Sequence, residues 1–466
     1  MANDGDLPDD LPIDSAKVSA LHDRVLRPEH KSLPPAAWGR TVREFLATAP
    51  HLDDLQTPVL SVDRAAVDSN IAVMAQWAAA AGVRLAPHGK TTMSPQLWGE
   101  QLAAGAWGIT LATGWQVQVA REFGVARILL ANALVDPVGL AWLAAELDRD
   151  PGFEFLSWVD SVATVETMDR HLAAAPEGVR VPVLVELGGP GGRTGARGVE
   201  EALAVAAAVR RSARLELAGV GGYEGAFAHD RRPDAITTVR EYLDELARLH
   251  RELAATYERP AIVTAGGSAY QDLVVERLAA LADEHGEHSP AAPGPGAVAE
   301  RHHAGPAAGL DRHSPATTVV LRSGAYIIHD DGFYSGISPL AAPRTERPLR
   351  SAMHGWARTV SRPEPGLALL DAGKRDLPFD EGLPVPQRLS RGRGQEAMPT
   401  TALVSALNDQ HAFLRLPEGG EVPIGSVVRL GLSHPCTAFD KWRLIPVIDD
   451  AGADRPRVVD LLHTFF

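Results

Sequence analysis

The sequence predicts an α/β chain: a parallel (β/α)8 barrel with a second, smaller β-rich domain. Three observations carry that expectation. With 466 residues, 45% of them hydrophobic, the chain can bury a core large enough for two domains. From about residue 84 to about 330, short apolar runs alternate with longer amphipathic stretches. From about 345 the helical period fades, and β-like runs are separated by Pro and Gly clusters. The expected division is an N-terminal extension at 1–54, a barrel at 55–340 and the β-rich domain at 341–466.

In chain order the barrel runs are "VRLAPHG", "GITLAT", "RILLAN", "FEFLSWVD", "VPVLVEL", "ELAGVGGYEG", "AIVTAGGS" and "TTVVLRSGAYIIHD". Segments such as "GWQVQVAREFG" and "DSVATVETMDRHLAAA" lie between them, with apolar residues at helical spacing and Asp, Ser or Gly at their starts. Eight strand-helix units in a row fit a closed barrel better than an open doubly wound sheet. An earlier run, "PVLSVDRAAVDSNIAVMAQWAAAAG", reads as one more strand and helix, with the strand outside the barrel. Later runs, among them "GLALLDAG", "HAFLRLP", "SVVRLGL" and "WRLIPVID", supply the β-rich domain.

Residues 283–315 form a low-complexity insertion rich in Pro, Ala and Gly, with five histidines. Such a composition does not hold ligands in fixed geometry, so the segment is expected to be a mobile surface loop and not a metal site. Deleting residues 285–313 is therefore expected to leave folding and turnover nearly intact, because closing a long surface loop costs little. Loss of bound metal together with activity in that deletion would show the histidines to be ligands.

A formal net charge of −14 disfavours nucleic acid and anionic membrane as partners and favours a small-molecule substrate. The start, "MANDGDLPDDLP", is acidic and proline-broken, and no apolar run is long enough to span a bilayer, so a cytoplasmic location is expected. A single cysteine, Cys436, excludes an intramolecular disulfide framework.

Catalytic groups in such barrels collect where strands end. Lys90 ends the first run, Thr113 the second, Asn132 the third and Asp160 the fourth. Arg193 follows the fifth in "GGPGGRTG", Tyr223 and Glu224 end the sixth, and Gly266, Gly267 and Ser268 end the seventh. Tyr326, His329 and Asp330 follow the eighth. Two glycines and a serine at a helix start can offer backbone N–H groups and a hydroxyl to a phosphate, or can be an ordinary turn. A lysine and an anion site on one rim suit pyridoxal 5'-phosphate, whose aldehyde a lysine amine can capture. In "LGLSHPCTAFDKW", His434 and Cys436 stand two apart, as a pair of metal ligands or as a histidine packed beside a small apolar thiol.

Here the chain resembles a known family. "PHGKT", "GGRTG" and "GGS" are similar to motifs of the fold-type III pyridoxal-phosphate enzymes with an alanine-racemase-like barrel. Within them the match is to the D-serine dehydratase and D-threonine aldolase family, including its amino-acid deaminase branch. The resemblance covers roughly residues 55–285 and 316–466. It implies Lys90 as the Schiff-base lysine, Arg193 on the cofactor ring oxygen, Gly266, Gly267 and Ser268 as the phosphate cup, and Tyr223 near the cofactor, supporting the ring or assisting proton transfer. It also implies Zn2+ on His434 and Cys436, because the dehydratases carry His-x-Cys where the aldolases carry His-x-Asp with a harder cation; thiolate is the softer ligand. The implied activity is conversion of a D-hydroxyamino acid such as D-serine to a 2-oxo acid and ammonia. The alternatives are a metal-dependent D-threonine aldolase and a non-catalytic pyridoxal-phosphate-binding protein. A head-to-tail homodimer is implied as well. His88 and His411 are secondary candidates, the latter beside the metal. The chain departs from the commoner family spelling in Gly89 before the lysine and in "LNDQH".

Overall fold

In the computed structural model, residues 12–284, 316–392 and 394–466 are described; residues 285–315 of the insertion, with its five histidines, lie outside the described residues. Each of the eight predicted runs contains a strand. They are β2 (Arg84–Leu85), β3 (Ile109–Leu111), β4 (Arg127–Leu130), β5 (Glu154–Val159), β6 (Val181–Leu187), β7 (Leu215–Gly222), β8 (Ala261–Ala265) and β9 (Thr317–Leu321). Their spatial order, β2-β9-β8-β7-β6-β5-β4-β3, is that of a parallel barrel opened between its first two strands. A parallel bridge between His88 and Thr110 closes the seam, with the Thr110 N–H 2.9 Å from the Pro87 carbonyl oxygen. Ala86, Leu129, Leu156, Trp158, Leu184, Ala218, Ile262 and Val320 fill the interior, so the barrel is a packed core and not a pore.

Where β7 bulges against β6, Gly219 adopts φ +144°, and a Cβ there would overlap the Ile262 carbonyl oxygen. Gly219→Ala is therefore expected to cost at least about 2 kcal/mol, because both backbone strain and overlap with main chain arise at a buried position. Chemical denaturation would read the loss.

β1 (Val59–Asp63) precedes the barrel in sequence but belongs to the other sheet, as its place before the eight units implied. It runs antiparallel to β10 (Met353–Glu364) and parallel to β17 (Leu444–Ile448). The remaining β-rich strands are β11 (Leu367–Leu370), β12 (Val385–Ser390), β13 (Gln395–Ala397), β14 (Leu403–Leu407), β15 (Ala412–Arg415), β16 (Val427–Gly431) and β18 (Val458–His463). β10, β12 and β13 were not legible as strands: β10 carries Gly355 and Pro363, and β12 has a bulge beside Pro386. The N-terminal segment covers one face of this sheet, where Leu26, Leu33, Val42, Phe45 and Leu52 pack with Trp356, Leu444 and Leu461.

Candidate active site

Lys90 sits in the short turn Gly89–Thr91, directly after the barrel seam. Gly89 is required there: a Cβ would come 2.7 Å from Ile109 Cγ2 and 2.7 Å from Trp98 Nε1, and the Trp98 indole donates to the Gly89 carbonyl at 3.1 Å. The glycine that departs from the family spelling thus makes room for a fully buried tryptophan beneath the lysine. Burial, foremost, and the Arg193 and Arg322 guanidiniums hold the Lys90 pKa below the ordinary lysine value, against an opposing pull from Cys436. His88, mostly buried beside Lys90, is held neutral by burial and by the same cations, and its Nδ1 has no partner among the described residues.

Arg193 extends its guanidinium over the Tyr223 ring, 5.3 Å from the centroid. Its glycine loop is organised by Arg197, which donates to the carbonyl oxygens of Gly189, Gly192, Arg193 and Thr194, and by the Thr194 hydroxyl, which donates to Glu186 at 2.7 Å. Burial raises the Tyr223 pKa above its ordinary value. Beneath the mouth, Arg322 is fully buried, donates to Thr264 Oγ1 at 2.7 Å and to the Gly222 carbonyl at 2.6 Å, and lies over Trp158. Sequence reading passed over Arg322; the signal was a cation ending the apolar run "TTVVL".

The glycine pair of the expected phosphate cup is engaged differently from the expectation. The Gly266 and Gly267 N–H groups donate to the Glu224 carboxylate at 3.0 and 2.7 Å, so their amides are not free for an anion. Ser268 is buried, and among the described residues neither its amide, nor its hydroxyl, nor the Ala269 amide donates to protein, which leaves these donors for a phosphate. Tyr223 stands beside them, 2.9 Å from where a Cβ on Gly267 would lie.

From the β-rich sheet, the short helix Pro435–Phe439 brings Cys436 to this rim: its Sγ is 3.6 Å from Thr91 Oγ1, next in sequence to Lys90. Its neighbour His434 donates from Nδ1 to Asp380 Oδ2 at 2.6 Å, and Thr437 donates to the other Asp380 oxygen at 2.7 Å. Burial disfavours charge on His434, but Cys436 and Asp380 outweigh it and hold its pKa up at about 9. Burial likewise raises the thiol of Cys436, and His434, Thr91 and Lys90 outweigh that and bring it down. Each of the two groups thus favours the charged form of the other.

No group of three or more His, Cys, Asp or Glu among the described residues forms a metal cage. The donor set nevertheless fits zinc in an open site: a cysteine sulfur and an imidazole side by side, with a carboxylate behind Nδ1 orienting the ring and leaving Nε2.

The other candidates do not join. Thr113 caps the helix Gly114–Glu122, Asn132 Nδ2 donates to the Ala112 carbonyl, and Asp160 accepts from Thr164. Tyr326 is buried against Gln101, and His411 is exposed in the turn between β14 and β15, without a hydrogen bond to His434 or Cys436. A cavity of about 1260 Å³ between residues 52–59 and the ends of β10 and β16 contains none of the rim residues.

An alanine racemase N-terminal domain matches residues 62–271, and a putative serine dehydratase domain matches residues 352–448. The chain is 26% identical over 399 residues to the D-threonine aldolase of an Arthrobacter species, covering 85% of this chain and 90% of that protein. It is 26% identical over 396 residues to the D-threo-3-hydroxyaspartate dehydratase of Delftia sp. strain HT23, covering 82% and 91%. The crystal structure of D-threonine aldolase from Filomicrobium marinum shares the fold with a TM-score of 0.69 at 22% identity, over 89% of this chain and 97% of that one. With a racemase-type barrel carrying the lysine and a dehydratase-type domain carrying the His-x-Cys pair, the chain is similar along both domains to the fold-type III pyridoxal-phosphate enzymes of the D-serine dehydratase and D-threonine aldolase kind.

Proposed function

We propose that this protein is a pyridoxal-phosphate- and zinc-dependent dehydratase that converts a D-hydroxyamino acid of the D-serine type to a 2-oxo acid and ammonia. The observation that carries the reading is the meeting of Lys90, from the barrel, with Cys436 and His434, from the β-rich domain, at one rim. Pyridoxal phosphate, when bound, would supply an electron sink for the pair left at Cα. Zinc on Cys436 and His434 would supply stabilisation of negative charge on a departing β-oxygen.

This chain's own residues do the rest. Lys90 Nζ, whose charged form is disfavoured by burial foremost, stands at the rim as the amine that would take the Cα proton. The Ser268 and Ala269 amides, just before the helix Gln271–Leu278, and the Ser268 hydroxyl would hold the phosphate, and Arg193, over the Tyr223 ring, would hold a ring oxygen. Trp98 and Trp158 wall the mouth from beneath and exclude water.

The 26% identity to the Arthrobacter aldolase over most of both chains favours a second reading, cleavage to glycine and an aldehyde. A thiolate ligand at Cys436 argues for zinc and for elimination. An ammonia-release screen over D- and L-hydroxyamino acids, with and without a chelator, separates the two: chelator-sensitive ammonia and 2-oxo acid support the dehydratase, whereas glycine and aldehyde would overturn it.

A cytoplasmic homodimer completes the proposal; no helix among the described residues is long and apolar enough to cross a membrane. Light scattering at working concentration is expected to give twice the chain mass, and a fully active monomer would contradict it.

A further inference from the structure

Among the described residues, five non-glycine residues have positive φ, and one of them is His434, at φ +57° and ψ 85°. That left-handed conformation is disfavoured for a residue with a Cβ, so something outside the residue must hold it. The holder comes from the other domain. Asp330, 1% exposed in the loop after β9, accepts the His434 N–H on Oδ2 at 3.0 Å. Its Oδ1 accepts the Gly332 and Tyr334 N–H groups at 3.0 and 2.8 Å, with Ser335 farther away at 3.4 Å. Both carboxylate oxygens are thus filled by backbone amides, which makes Asp330 a brace and not a third metal ligand.

The neighbouring contacts seat the same two segments. The Asp331 N–H donates to the Leu432 carbonyl at 2.9 Å, and the Phe333 N–H donates to Ser433 Oγ at 3.2 Å. Ser433 Oγ in turn donates to the Glu381 carbonyl at 2.7 Å. The approach is close enough that a Cβ on Gly332 would come 2.5 Å from Ser433 Cβ. β9 is the hydrogen-bonded neighbour of β2, the strand that leads to Lys90. The loop after β9 therefore ties the His434 turn to the barrel edge that positions the lysine. Asp330 sets the backbone of His434 while Asp380 sets its ring.

We propose that Asp330 is a positioning residue for zinc: it locks His434 in the left-handed turn that places its imidazole beside Cys436, in register with Lys90. This rests on the reading of His434 and Cys436 as the metal pair, and it assigns the preorganisation of that pair to the barrel and not to the metal.

The test is Asp330→Asn in the pyridoxal-phosphate-loaded protein. Asparagine keeps the shape and can still accept from Gly332 and Tyr334, but it turns an NH2 toward the His434 N–H. Zinc affinity, titrated against a competing chelator, is expected to fall about 10- to 100-fold, as losses behind a metal ligand do. Cofactor occupancy and Cα deuterium washout, which a general loss of structure would reduce, should stay within about twofold of wild type. Wild-type zinc affinity in D330N, with affinity lost in Cys436→Ala, would overturn this inference alone. Undiminished zinc affinity in Cys436→Ala as well would overturn the metal reading beneath it. Should D330N not accumulate as folded protein, hydrogen exchange on chelated wild type decides. Retained protection at residues 431–436 supports the brace, and loss of protection on zinc removal means that the metal holds the turn, which overturns it.

Discussion

Replacing Lys90 with alanine is expected to abolish the visible absorbance of the cofactor-loaded protein and to lower turnover by at least about a thousandfold. Two roles vanish together: the covalent anchor for pyridoxal phosphate and the amine that takes the Cα proton, and a positioned base alone contributes about a hundredfold to ten-thousandfold. The fold should survive. Lys90 is partly buried beside Arg193 and Arg322, which disfavour its charged form, so its removal gives up no favourable ion pair with them and makes no cavity in the apolar core. The melting temperature should accordingly stay at or above that of wild type. Borohydride reduction of wild type should fix the cofactor to the peptide containing Lys90 and to no other. A reduced adduct on a different lysine, or full turnover in the variant, would remove Lys90 from the site.

Sequence alone showed the rim but not how its parts meet. All eight barrel strands and the outlying β1 were legible because buried parallel strands read as short apolar runs between turn residues. β10 and β12 were not, because their apolar positions are interrupted by Gly355, Pro363 and Pro386. The glycines of "TAGGS" were correctly placed on the rim. That Glu224 would take the Gly266 and Gly267 amides depends on the register of β7 against β8, which pairs Gly221 with Thr264, and register between distant strands leaves no local trace. His434 and Cys436 stood out by type and spacing. The left-handed turn at His434 did not, since a histidine before Pro435 reads as an extended residue.

Cys436 and His434 provide the sharpest division of the proposed chemistry. In Cys436→Ala the cofactor should remain bound and Cα protons should still exchange with solvent deuterium, because Lys90 and the electron sink suffice for that step. Elimination should fall steeply. A Lewis acid on a departing hydroxide contributes several kcal/mol, hence on the order of a thousandfold in rate. His434 needs a more careful substitution than alanine. At φ +57° an alanine is less tolerated than a histidine or an asparagine, so it would confound a lost ligand with a distorted turn. Asparagine tolerates the left-handed region and lacks the imidazole, so His434→Asn should reproduce the cysteine variant's pattern. Deuterium washout and 2-oxo acid formation would be measured on one sample of each variant, before and after exhaustive chelation. Chelated wild type should match the variants in both measurements, with washout intact and elimination lost. If both variants instead eliminate D-serine at the wild-type rate after chelation, zinc has no part in the step, and His434 and Cys436 belong to a packed turn at the mouth of the barrel.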